Sequence, residues 1–252
     1  MMQRILITLG LALSLLGAAQ AAPASLPVLR VGVENLDYYP FYASDGKRFW
    51  GYARDLLDSF AQHAGYQLVY EPLPTHTLFE LFLHSQRLDL KFPDNPRWSV
   101  EAKRHLPVHY SDSLVTANEG LIVRKAQLSH PVSSLRTIGM VRGFTAHSYQ
   151  PYAQSGQLRL VEAASLDGLL QDLAYGRIDG VYAEFQVARL RLKLLKLDQQ
   201  LAVNPGLPVD RNEFALSSIR RPEVVTAFNR FLRNNPALVR ALKHRYGLDV
   251  AH

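Results

Sequence analysis

From Leu26 onward the chain alternates short apolar runs with amphipathic stretches, and that alternation narrows the fold class to α/β. Residues 28–33 read as a first, largely buried strand. Apolar residues at 56, 57, 60, 61 and 64 then recur at helical spacing over 52–64, and Gly65 supplies the stop. Residues 67–71 read as a second strand and 77–85 as a helix with Leu78, Leu81 and Phe82 inward. A third strand over 88–92 is expected to end at the Pro93-Asp94-Asn95-Pro96 turn. Further strands are predicted over 120–124, 138–141, 178–182 and 214–217, the first of these at a crossover between lobes. Ser165 fits the cap of a helix through Leu169, Leu170 and Leu173. Residues 185–196 are predicted helical with a basic outer face, and Pro222 takes the first position of a helix to about Arg233. A last helix is predicted over 237–246, ended by Gly247. No internal repeat, low-complexity tract or long linker is present, so periodicity alone leaves one open sheet and two lobes equally open.

The first residues read as an export signal. Arg4 precedes an apolar run over 5–18 that is short for a membrane span, and Ala19-Gln20-Ala21 offers the small-x-small pattern of a cleavage site after Ala21. There is no cysteine, which excludes disulfides, thiolate metal sites and a lipobox. An exported chain without such staples is held by its core; the residues left after cleavage suffice for one large or two moderate domains, and 48% apolar residues mark the chain as globular. The net charge of +6 is spread over helix faces (Arg189, Arg191, Lys193, Lys196, Arg230, Arg233), a solvated pattern rather than a nucleic-acid footprint.

Common catalytic signatures are missing: no Gly-x-Ser-x-Gly elbow, Walker loop or Gly-x-Gly-x-x-Gly occurs. Nine histidines include no His-Glu-x-x-His, and Pro107 separates His105 from His109. Capture of a charged small molecule remains. A guanidinium holds a carboxylate with parallel donors, helix-start N–H groups complete its shell, and an acidic side chain with aromatic cover holds an ammonium. Desolvating such charges is costly unless each is paired, which two lobes closing on the ligand would achieve.

Three segments carry a resemblance. Tyr39-Pro40-Phe41 is followed by a turn and Gly51-Tyr52-Ala53-Arg54-Asp55-Leu56. Arg104 precedes Tyr110-Ser111-Asp112, and Gly176-Arg177-Ile178-Asp179 leads to Glu184. Over residues 27–248 the chain resembles the periplasmic solute-binding proteins of the polar amino-acid uptake family (extracellular solute-binding family 3). The resemblance implies a two-lobed type II periplasmic binding fold with a ligand cleft between lobes. Lobe one would comprise residues 27–119 and 212–250, lobe two residues 120–211. It implies a monomer without cofactor or metal.

By that resemblance Arg104 holds the ligand carboxylate, helped by Ser99 and by Gly143 and Thr145 of Arg142-Gly143-Phe144-Thr145, and Glu184 holds the ammonium. Tyr39, Phe41 and Trp98 are candidates for the aromatic cover. The residues leave alternatives open. Arg97 or Lys103 competes with Arg104 as the anion contact, Glu184 also fits the cap of the following helix, and Tyr39 and Phe41 also fit the core. The implied function is a periplasmic receptor for an amino acid or close relative, serving an ABC-type permease. A sensor for a signalling receptor, a dehydratase-like enzyme and a pure interaction module are the other readings.

Overall fold

A computed structural model describes residues 25–85 and 87–248. The expected export signal and its cleavage site lie outside them, as do residues 249–250 of the predicted first lobe.

The chain begins with β1 (Val28–Glu34), a small meander of β2 (Asp37–Tyr38), β3 (Tyr42–Ser44) and β4 (Phe49–Trp50), and α1 (Tyr52–Ala64). It continues through β5 (Gln67–Leu73), α2 (Thr75–Glu80), β6 (Leu90–Asp94), α3 (Val100–Lys103) and β7 (His109–Tyr110). Next come β8 (Val115–Arg124), β9 (Thr137–Val141), α4 (Gln150–Gln154), β10 (Arg159–Ala163) and α5 (Leu166–Ala174). The last elements are β11 (Gly180–Glu184), α6 (Phe185–Leu194), β12 (Leu201–Val203), β13 (Asp210–Ser218), α7 (Pro222–Asn234) and α8 (Pro236–Arg245).

β1 buries Leu29, Val31 and Val33 completely. It lies between two parallel partners, β5 from Val28↔Gln67 to Glu34↔Leu73 and β6 from Val31↔Leu90 to Val33↔Phe92. Strands covered on both faces read as near-continuous apolar runs, which is why this one was visible in sequence. α1 turns Leu56, Leu57 and Phe60 onto the sheet and ends at Gly65, whose left-handed φ of 74° lets its N–H reach the Ala61 carbonyl.

The strand order β10-β9-β11-β8-β13-β6-β1-β5 divides at β8 and β13. These two pair antiparallel from Val115↔Phe214 to Glu119↔Asp210. Beyond that stretch β8 turns to β11 and β12, whereas β13 turns to β6. Each strand therefore runs from one half of the molecule into the other, and the halves meet along this pair. The register between β13 and β6 shifts between Ala215 and Ser217. Pro93 falls inside that irregularity, so β6 continues to Asp94 instead of stopping before the proline as expected, because a bulge spares Pro93 a ladder hydrogen bond it cannot donate.

Ser165 accepts from the Gly168 N–H and caps α5, and Pro222 opens α7, both as the sequence predicts. The sequence predicts none of β2, β3, β4, β7, β10, β12, α3 and α4; each is five residues or fewer, too short to show a period. Among the described residues no helix is long and apolar enough to cross a membrane.

Candidate functional site

The two halves touch around a cavity of about 490 Å³, its mouth included. The first half contributes Glu34 from the end of β1, Tyr42, Thr75, Phe79, Trp98 and Ser99. The second half contributes the loop after β9, Gly143-Phe144-Thr145, and the crossing strands add Glu119 and Phe214. Gly143 has a φ of 89°, and a Cβ there would stand 3.2 Å from the Thr75 Cβ, so the two halves approach within van der Waals contact at a glycine. Phe144 points its ring edge-on to Tyr38, centroids 5.5 Å apart. Beside it Arg191 of α6 pairs with Asp167 of its own half and reaches Asp37 of the other at 2.7 Å.

The floor holds a buried network of mixed sign. Lys91, with no exposure, donates to the Pro93 carbonyl at 2.6 Å and lies 3.4 Å from Asp94. Its ammonium also sits 3.9 Å from the Phe79 ring centroid, a cation–π contact. Lys103 donates to Asp94 at 2.7 Å and to the Asn95 carbonyl at 2.9 Å, and Ser217 donates to Asp94 as well. Burial opposes ionisation of Asp94, yet Lys91 and Lys103 together hold its carboxyl below the ordinary value. Glu34 accepts from the Tyr42 hydroxyl; burial raises its carboxyl, and Lys91 counteracts this in part.

The crossing strands, of which only Glu119 among their acids lines the cavity, differ. Glu184, Glu119 and Asp210 stand side by side on β11, β8 and β13, as register partners. Glu119 accepts from the Tyr38 hydroxyl at 2.8 Å, Asn212 Nδ2 at 2.5 Å and the Tyr182 hydroxyl at 3.2 Å. The single Tyr182 hydroxyl hydrogen is shared between Glu119 and Asp210, the latter nearer at 2.7 Å. Burial pushes the Glu119 carboxyl up to about 7, against the pull of those three bonds and with some help from Asp210. Burial likewise lifts Glu184 to about 7. None of the ion pairs among the described residues involves any of these three carboxyls.

Of the residues singled out in sequence, Trp98, Ser99, Gly143 and Thr145 come together on the cavity wall. Arg104 does not. It follows the single turn of α3, is 59% exposed and bonds Glu101 at 2.6 Å, because the inward position at that turn belongs to Lys103. The alternative anion contacts are also engaged: Lys103 as above, and Arg97 with the Arg211 carbonyl at 2.6 Å and Asn212 Oδ1 at 3.0 Å. Glu184 is the N-cap of α6, accepting from the Gln186 and Val187 N–H groups at 2.6 and 2.8 Å, and does not line the cavity. The expected facing pair of Arg104 and Glu184 therefore does not form across the cavity. Phe41 is core, edge-on to Phe214, and Tyr39 lies at the surface against Tyr246.

Sequence reasoning missed Glu34, Tyr42, Thr75, Phe79, Glu119, Phe144 and Phe214 as cavity residues. One signal was available: Glu34 ends the run Val31-Gly32-Val33 and Glu119 precedes the run Gly120-Leu121-Ile122-Val123, and an acid beside a buried strand segment needs a reason.

The sequence matches no family profile and no curated protein. The fold is similar to solved structures. The GluR0 ligand-binding core in complex with L-glutamate is 16% identical at a TM-score of 0.71, with 88% of this chain and 99% of that chain covered. A histidine kinase sensor domain with similarity to periplasmic binding proteins is 16% identical at 0.69, covering 88% and 96%. An arginine third transport system periplasmic binding protein from Legionella pneumophila is 15% identical at 0.68, covering 87% and 99%.

Proposed function

We propose, for a chain with the two-lobed type II periplasmic binding fold, that the interlobe cavity captures a small polar organic solute, an amino acid or a close relative. Lobe one is taken as residues 27–119 and 212–250 and lobe two as 120–211. The observation that carries the reading is the cavity itself. It lies where the two halves meet, draws polar atoms and rings from both, and is closed on one side by Phe144 against Tyr38. A ligand held there contacts both halves at once, so its binding energy is coupled to closure. Trp98, Ser99, Gly143 and Thr145 are the proposed contacts retained from the sequence.

The structural neighbours are binding proteins rather than enzymes, which supports capture without turnover. The proposed setting is the periplasm after signal cleavage, with delivery to an ABC-type permease. The similarity to a histidine kinase sensor domain favours a second reading, in which closure is reported to a receptor. Mass spectrometry of small molecules released on denaturing the purified protein tests the capture reading. A stoichiometric solute that raises the melting temperature when added back is expected. No released solute, and no shift from amino acids, amines, dicarboxylates or sugars, would overturn it.

A further inference from the structure

Among the described residues the cavity presents acids and rings and no base. Glu34 and Glu119 are its charged lining residues, and Trp98, Phe144 and Phe214 add ring surface. The basic groups close to it are already committed. Lys91 and Lys103 face Asp94, Arg97 bonds a carbonyl and Asn212, and Arg191 bridges Asp167 and Asp37. A ligand carboxylate entering this space would meet two buried acids without a guanidinium or ammonium to offset them, an arrangement that repels anions. An ammonium would meet the reverse. Rings attract cations through their negative faces, and Phe79 already does so for Lys91.

The two acids are not equivalent. Glu34 shares its field with Lys91, whereas the charged groups facing Glu119 among the described residues are acidic: Asp210 on β13, Glu184 on β11. Its other neighbours are hydroxyls and an amide, Tyr38, Tyr182 and Asn212, which donate hydrogen bonds but bring no positive charge. Only one of these donors, Tyr38, reaches Glu119 Oε1, and a carboxylate oxygen accepts two, so capacity for another donor remains.

We propose that the missing counter-charge is the ligand: the cavity takes the ammonium end of an organic amine that lacks an α-carboxylate, seated between Glu119 and the rings of Trp98, Phe144 and Phe214. This rests on the capture reading above and narrows it from amino acids to their decarboxylated or amide-like relatives. Because the ammonium favours the ionised acid, binding weakens as pH falls below about 7, where Glu119 takes up its proton.

The test is calorimetry and thermal shift on the purified protein with matched pairs: arginine and agmatine, ornithine and putrescine, tyrosine and tyramine, betaine and choline. Dicarboxylates and sugars run alongside. The amine of at least one pair is expected to bind at least about tenfold more tightly than its carboxylate-bearing partner, with affinity falling about tenfold per unit below pH 7. Glu119→Gln is expected to weaken the amine at least about tenfold; if that variant does not fold, the pH series on the unaltered protein decides. Tighter binding of an amino acid, dicarboxylate or sugar, or amine binding flat across pH, overturns this inference and leaves the capture reading standing. No binding by any class overturns both.

Discussion

Two buried charge clusters flank one cavity, and they are built on opposite terms. On the floor, Asp94 is clamped by Lys91 and Lys103, with Glu34 close by, so acids and bases offset one another within the protein. On the crossing strands, Glu119, Glu184 and Asp210 line up with hydrogen-bond donors alone. Glu119 and Glu184 are as buried as the floor; only the floor is neutralised. The floor is a self-sufficient part of the scaffold, and the strands hold the charge that the proposed ligand would complete. Burial alone does not mark a binding residue; burial without a counter-charge on a cavity wall, as at Glu119 and not at the helix-capping Glu184, makes a candidate.

Asp94→Ala breaks the comparison most severely, since it leaves two buried ammoniums facing each other. A loss of about 3–5 kcal/mol is expected in denaturant unfolding. The effect of Glu119→Gln depends on pH. Folded Glu119 keeps its proton up to about 7, while the unfolded side chain loses it near 4.5, so stability falls as pH rises between those values. That fall reaches roughly 3 kcal/mol for this group, and the variant flattens it while the similar contribution of Glu184 persists. Unfolding free energies from pH 4 to 8 check both.

Arg191→Ala comes next. It releases Asp37 from Asp167 across the cleft, but the pair is partly solvated, so a stability loss of about 1 kcal/mol or less is expected. Its larger signature is geometric: small-angle scattering should report a wider opening than in the unaltered protein. Arg104→Ala gives the smallest effect, within about 0.5 kcal/mol, with no change in ligand affinity, because the side chain points to water.

Much of the scaffold is legible in the sequence where one residue carries the information. Gly65, Ser165 and Pro222 mark element ends through backbone freedom, a capping hydroxyl and a fixed φ, all local properties. Trp98 and Thr145 reach the cavity because their segments follow β6 and β9 and leave the sheet at the interlobe edge. Arg104 misleads because it caps the end of α3, where a one-residue difference in a single turn sends Lys103 inward and Arg104 outward. Glu184 fits a helix cap from its place before residues 185–196, and the α6 N–H groups claim it. Glu119 escaped notice because its meaning arises only when β8 is set between β11 and β13, a pairing no local pattern announces.

The most direct measurement is a carbon-13 titration of the Glu119 carboxyl by nuclear magnetic resonance, with and without an amine that binds. A midpoint near 7 in the free protein, falling when the amine is added, is expected. A midpoint at the ordinary 4.5, or one that the bound amine leaves in place, would contradict the claim that this acid awaits a cation.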